Sequence, residues 1–302
     1  MATLTAQPRQ DRVGLGIAMM LSAWFLFSLV DSSVKWLVLL GLSAVQLAFM
    51  RYAVHFLCSI AMVFRHDGDL GLATHGQARL ILFRAALLIS ATFLNFVALQ
   101  YLPLTTTSAI MFSSPIIVSA LSGPLLGERV GVWRWSAILL GFAGVLVVVR
   151  PFGNAFHWAS VLIVYNAFAM ALFSIITRKL SGTIPAQTMQ LYMGALGTAV
   201  LLPLAMVNWT NPDTLRDWLL LFGVGAFAWA GHEAFARAHS LADASVLMPF
   251  AYSFILFMSA LGYLVFGDIP DAFTILGACI IVLSGLIIWL RETRGGPRDD
   301  PR

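Results

Sequence analysis

Ten apolar runs of about 20 residues, separated by short polar connections, take up nearly the whole chain. They cover approximately residues 13–34, 43–64, 79–100, 104–126, 133–150, 157–177, 185–207, 217–239, 243–266 and 272–290. A helix of that length crosses the hydrocarbon core of a bilayer. Within that core only helices and closed barrels satisfy every backbone group. Charged residues make up 11% of the chain and hydrophobic ones 60%, whereas a water-soluble domain averages roughly 25% charged. The expected fold is an all-α integral membrane protein of ten helices, with no room for a separate soluble domain.

No small-residue cleavage pattern follows the first run, so residues 13–34 read as a retained helix. Lys and Arg are unevenly shared between alternate connections. Thirteen fall on the side of the termini, three (Lys35, Arg150 and Arg216) on the other, and Arg51 and Arg84 lie within runs. The positive-inside rule then puts both termini in the cytoplasm. The same asymmetry explains the net charge of +4 without a nucleic-acid partner. Cys58 and Cys279 lie inside runs, without CxxC spacing, and read as buried apolar residues.

Two stretches share one plan. Leu102–Glu128 carries Pro115 and a run of hydroxyls; Leu241–Asp268 carries Pro249. Ser119-Ala120-Leu121 followed by Gly127-Glu128 matches Ser259-Ala260-Leu261 followed by Gly267-Asp268. Leu26-Phe27-Ser28 recurs as Leu172-Phe173-Ser174, and Gln46 as Gln187. Small residues line the fifth run (Ala137, Gly141, Gly144) and the tenth (Gly277, Ser284, Gly285), as expected of helices that pack closely in lipid. An odd number of spans per copy forces the copies to be inverted. The expected organisation is a tail (1–12), two five-helix repeats (13–150 and 151–291) and a second tail (292–302). Interrupted helices at corresponding places point to a transport site between the copies, with Pro115 and Pro249 as gating positions.

These features, with Ala48–Tyr52 (AFMRY) and the Ser-Ser-Pro…Gly-Glu-Arg pattern at Ser113–Arg129, resemble the drug/metabolite transporter superfamily, EamA-type branch. Within it the chain looks most like bacterial YddG-type exporters. That resemblance implies an exporter of aromatic and other neutral amino acids, working by alternating access around a central cavity. Efflux of drug-like cations or nucleobases, and a channel-like path, are the alternatives.

Polar residues within spans are costly and so are candidates for function. Trp24, Ser28, Asp31 and Lys35 share one helical face, where Asp31 and Lys35 are expected to pair at i,i+4. Asn95 and Asn166 can hydrogen-bond a zwitterion. Arg84 reads as snorkelling to the surface, and Arg51 as an anchor at the span edge. His232 and Glu233 are candidates for proton coupling, although Glu233 and Arg237 are also spaced to pair. Trp24, Tyr101, Met111, Tyr165, Trp229, Phe250 and Tyr252 are candidate cavity residues, for which ordinary packing is the competing reading.

A membrane enzyme would need a metal cluster or a nucleophile with its base. The six histidines show no ligand spacing beyond His232 and His239, and no phosphate-binding GxxxxGK[ST] occurs. The expected partners are a small-molecule substrate and the lipid bilayer, with no cofactor, no metal and no enzymatic activity. The chain is expected to be a monomer or weak homodimer.

Overall fold

A computed structural model of the chain describes residues 13–65, 75–126, 132–150, 156–180, 183–241 and 247–294. Its helices are α1 (Val13–Leu39), α2 (Ala44–Arg65), α3 (His75–Ala98), α4 (Leu104–Met111), α5 (Ser114–Leu126), α6 (Val132–Val149), α7 (Ala159–Leu180), α8 (Ala186–Val207) and α9 (Leu215–Leu241). A 3₁₀ turn (Met248–Tyr252) then leads into α10 (Ser253–Phe266), and α11 (Ala272–Arg294) closes the described chain. Among the described residues, six helices (α1, α2, α3, α7, α8 and α9) are long and apolar enough to cross a membrane. Shorter apolar stretches at Leu104–Val118, Trp135–Val149, Phe250–Phe266 and Ala272–Ile287 stand at the other four expected runs.

Two of those runs are not single regular helices, and proline is part of the reason. The ladder of the fourth breaks at Phe112–Ser113, which puts Pro115 in the first turn of α5, where a missing N–H costs nothing. Pro249 likewise sits in the opening turn of its 3₁₀ segment, not at mid-span. The hydroxyls of the fourth run fold back on their own helix. Thr107 donates to the Leu104 carbonyl (2.8 Å), Ser108 to Thr105 (3.0 Å) and Ser113 to Ile110 (2.7 Å). Gly127, Glu128 and Arg129 lie outside the described residues.

The strongest packing joins helices far apart in sequence: α1 on α9, α3 on α7, α2 on α8, and α6 on α11. The α6–α11 seam uses the small residues expected to pack there. A Cβ on Gly144 would lie 3.0 Å from the Gly277 carbonyl oxygen, and one on Gly277 would lie 2.7 Å from that of Gly144. Ser284 Oγ donates across the seam to the Ala137 carbonyl at 2.5 Å. Gly225 of α9 sits against α2, where a Cβ would meet the Met50 oxygen at 2.8 Å. Leu57, Leu139, Phe142 and Leu264 are exposed on the outer faces, where lipid would cover them. Cys279 is exposed as well, contrary to its expected burial.

Asp271 starts α11 as its N-cap, accepting from the Thr274 backbone N–H at 2.7 Å, and it pairs with Arg150 at 2.5 Å. Hydrogen bonding to Thr274, assisted by Arg150, holds its carboxyl below the usual aspartate value. A depressed carboxyl stabilises the fold above its unfolded value of 3.8, and that contribution is lost as pH falls through the folded value. Asp271→Ala should therefore cost about 1 kcal/mol at neutral pH through the lost cap. Thermal unfolding in detergent should show that deficit unchanged between pH 7 and pH 5; a deficit that shrinks over this interval contradicts the assignment.

Candidate functional site

Polar side chains collect in two places, one inside the helix bundle and one at the end holding the α1–α2 connection. At that end Lys35 is buried (7% exposed). Its Nζ donates to Asp268 Oδ2 at 2.5 Å and to the Leu102 carbonyl at 3.3 Å, and lies 4.8 Å from the centre of the Phe266 ring. Asp268 is aimed there by Gly267, whose left-handed backbone (φ 69°) caps α10. The expected Asp31–Lys35 pair is replaced by this longer-range one. Nearby, Trp36 Nε1 donates to Asp217 Oδ1 (3.2 Å), and Asp217 and Thr214 cap α9 together. The Gln46 side-chain amide donates to the Thr210 carbonyl (2.8 Å) and accepts its N–H (3.0 Å). These contacts tie the α3–α4, α8–α9 and α10–α11 connections to α1 and α2.

Inside the bundle, aromatic edges surround a set of buried polar groups. Trp24 meets Phe27 (5.7 Å), Phe254 (5.5 Å) and Phe235 (6.1 Å) between ring centres. Phe27 lies 5.0 Å from the His232 ring, which lies 5.7 Å from His55. Asn95 Nδ2 donates to Asp31 Oδ1 at 3.2 Å. Arg51 Nη1 donates to Thr92 and to Tyr52 OH (3.3 Å), while Tyr52 OH and Thr92 Oγ1 share a hydrogen bond of 2.9 Å. Arg84 Nε donates to Thr177 Oγ1 at 2.6 Å, its guanidinium lying 4.0 Å over the Phe173 ring.

Arg84 is therefore buried between α3 and α7 and does not snorkel. Its expected route to the surface fails because Thr177 and Phe173 hold the head group inside. Arg51 is likewise turned inward to Thr92, not anchored at an edge. Side-chain nitrogens without a hydrogen-bond partner are concentrated here: Trp24 Nε1, Arg51 Nε, His55 Nε2, Arg84 Nη1 and His232 Nε2. Buried groups of this kind cost free energy until something occupies them.

The candidates from the sequence are distributed unevenly. Trp24, Asn95 and His232 meet in this interior, and Phe250 packs beside it against Met20, Ala238 and Leu247. Ser28 is buried but donates to its own helix at the Phe25 carbonyl (2.7 Å). Tyr252 lies tilted against Phe112 (5.2 Å between ring centres) and reaches over Gly285. Met111 is packed against the main core, Asn166 is buried, and Trp229 is half-buried. Tyr101 is 49% exposed and stacks on His157, away from the interior set. Tyr165 is exposed, with its hydroxyl on Ser90 Oγ (2.9 Å). Glu233 accepts from Arg237 Nε at 2.7 Å, the i,i+4 pair its spacing allows. His55, Tyr52 and Thr92 were not among the sequence candidates, and their polarity within a span was the available signal.

The EamA-like transporter family model matches the chain twice, over residues 14–150 and 157–290. The chain is 33% identical to a riboflavin transporter of Vibrio cholerae, over 94% of this chain and 96% of that protein. It is 29% identical to the pseudopaline exporter CntI of Pseudomonas aeruginosa (95% and 99% covered). It is 28% identical to an S-adenosylmethionine uptake transporter of Rickettsia felis (91% and 94% covered). A solved crystal structure superposes with a TM-score of 0.64 at 15% identity, over 95% of this chain and 99% of its own, a likeness of fold alone. The amino-acid cargo expected from the resemblance finds no support among these relatives. A multi-pass membrane protein made of two such matching segments, the chain belongs to the EamA-like transporter family.

Proposed function

We propose that the chain is a secondary carrier that moves a small, partly aromatic, acceptor-rich metabolite across the bacterial inner membrane by alternating access. It is built as ten spans in two inverted repeats, 13–150 and 151–291, with both termini cytoplasmic. Its packing supports that organisation. Exchanging each helix for its counterpart turns α1 on α9 into α7 on α3, turns α2 on α9 into α8 on α3, and leaves α2 on α8 and α6 on α11 as they are. In this topology the bridged end faces outward, so the ties around Lys35 and Gln46 close the path on that side, and the segments around Pro115 and Pro249 move to reopen it. Glu233 is occupied by Arg237, which leaves His232, of the two candidates from the sequence, as the group to couple protons.

The observation that carries the cargo reading is the interior itself: aromatic edges around unpartnered N–H groups. A flat ring system gains from edge-on and stacked contacts, and its carbonyl or ring-nitrogen acceptors would satisfy the free donors. Riboflavin is the first cargo to test, since the V. cholerae relative carries that name. In proteoliposomes of the purified protein, labelled riboflavin should accumulate saturably and faster against unlabelled riboflavin inside. Counterflow of phenylalanine without riboflavin would replace the flavin cargo by the aromatic amino acids that the sequence resemblance implies. Linear flux without counterflow would replace the carrier by a channel.

A further inference from the structure

The interior is not electrically neutral, and that bears on which cargo it accepts. Arg51 and Arg84 enter it from α2 and α3, and both lie in electrostatic range of Tyr52 and His232. A guanidinium does not lose its proton in a protein, so both charges are permanent. Asp31 is the carboxylate within range of Arg51, and it is held by Asn95. Among the described residues, neither arginine has a carboxylate at salt-bridge distance. Two positive charges against at most one negative among the described residues leave at least one uncompensated, whatever the state of His55 and His232.

The hydrogen-bond inventory leads to the same place. Arg51 spends Nη1 on two hydroxyls, and Arg84 spends Nε on one. Arg51 Nε and Arg84 Nη1 are buried and donate to nothing. Arg84 is 6% exposed and His55 1%, so bulk water does not reach them freely. Hydroxyl partners satisfy geometry without offsetting charge, and a buried, unpaired guanidinium is strongly unfavourable. Guanidinium N–H groups match the spacing of carboxylate and phosphate oxygens.

We propose that Arg51 and Arg84 together form an oxyanion subsite, which takes a carboxylate or phosphate group of the cargo while the rings around Trp24 take its aromatic part. The subsite rests on the carrier reading above but not on flavin as cargo. It makes the site select anions over cations of the same size, because a cation entering here meets like charge and leaves the free donors unpaired. An interior of this kind suits a metabolite whose acid group was left by a preceding carboxylation, oxidation or phosphorylation.

The test measures equilibrium binding to purified protein with two probe pairs that share a ring system and differ in charge. One pair is riboflavin against riboflavin 5′-phosphate; the other is 2-naphthoate against 2-naphthylmethylammonium. The anion of each pair should bind about tenfold tighter or more, the usual worth of charged hydrogen bonds. Arg84→Gln and Arg51→Gln should each bring that ratio close to one, and Arg84→Lys should leave it in between, since the charge stays while the fork that matches two oxygens is lost. Size-exclusion profiles identify variants that misfold, and Arg84→Lys then carries the comparison. Equal binding within both pairs, or a ratio indifferent to both glutamine variants, overturns the subsite even if riboflavin binds. A naphthoate preference that falls in Arg84→Gln, with neither flavin bound, retains the subsite and removes the flavin cargo. Preference for the phosphate ester without preference for naphthoate assigns the subsite to phosphate. Binding of none of the four probes overturns both readings.

Discussion

Lys35→Met should destabilise the purified protein by about 3 kcal/mol, and Asp268→Leu by at least as much, whereas the double variant should recover most of the loss. The asymmetry follows from burial. The Lys35 ammonium is taken almost wholly out of water, and its compensation comes from one carboxylate, one carbonyl and one ring face. Removing Lys35 strands a carboxylate whose side chain is 25% exposed, so water softens the penalty and puts it at the low end of the range for broken buried pairs. Removing Asp268 strands the deeper ammonium, whose side chain is 8% exposed. Replacing both leaves two apolar groups next to Phe266, which is nearly neutral where an ion pair was well desolvated. The check is a double-mutant cycle of thermal stability in detergent. A cycle in which the two losses simply add means that the pair does not couple α1 to the α10–α11 connection.

The same cycle bears on transport. Lys35 joins α1, the α3–α4 connection and the segment after α10, three parts that must separate if this end of the bundle opens. A well-packed apolar replacement keeps them together without the ion pair. The double variant should therefore regain stability while exchanging cargo at an altered rate, because the contact no longer depends on charge. Equal rates in the double variant and the parent protein would assign the pair to folding alone.

Local rules made some of this legible and hid the rest. The α6–α11 seam could be read because small residues at helical spacing are visible within one run, and Glu233–Arg237 because its partners are four apart. Lys35 has the same kind of local option in Asp31, yet it pairs with a residue 233 positions away. Nothing in the sequence ranks those options; the turn at Gly267 does, by aiming Asp268 inward. Arg84 carries the same lesson. A long side chain near a span end is usually free to reach the headgroups, and only the placement of Phe173 and Thr177 on α7 shows that this one has a better berth inside. Gln46 and Gln187 were matched as repeat mates, but Gln46 is fully buried on the Thr210 backbone while Gln187 is exposed. Matching residues in two copies can thus serve different ends once the copies diverge.

The largest loss should come from filling the α6–α11 seam. Gly277→Leu places a branched side chain where a Cβ alone would lie 2.7 Å from the Gly144 carbonyl oxygen and 3.1 Å from the Val148 backbone nitrogen. Those obstacles are main-chain atoms of a packed helix, so rotamer changes cannot relieve them, and the two helices must move apart. Separation breaks the Ser284–Ala137 hydrogen bond and exposes Ile281 and Val148, which are buried at the seam. Overpacking of a core usually costs about 1–3 kcal/mol. Backbone-to-backbone contact puts this case at or beyond the upper end, since close packing supplies much of the drive for helix association in lipid. Gly277→Ala should lose less, and Gly14→Ala, whose Cβ would meet nothing within 4 Å, should lose nothing. Yield of monodisperse protein and its melting temperature, compared across the three variants, give the ranking. A Gly277→Leu variant that melts with the parent protein would mean that α6 and α11 do not meet through their glycines, and the exchange symmetry of the packing would lose one of the two pairs that map onto themselves.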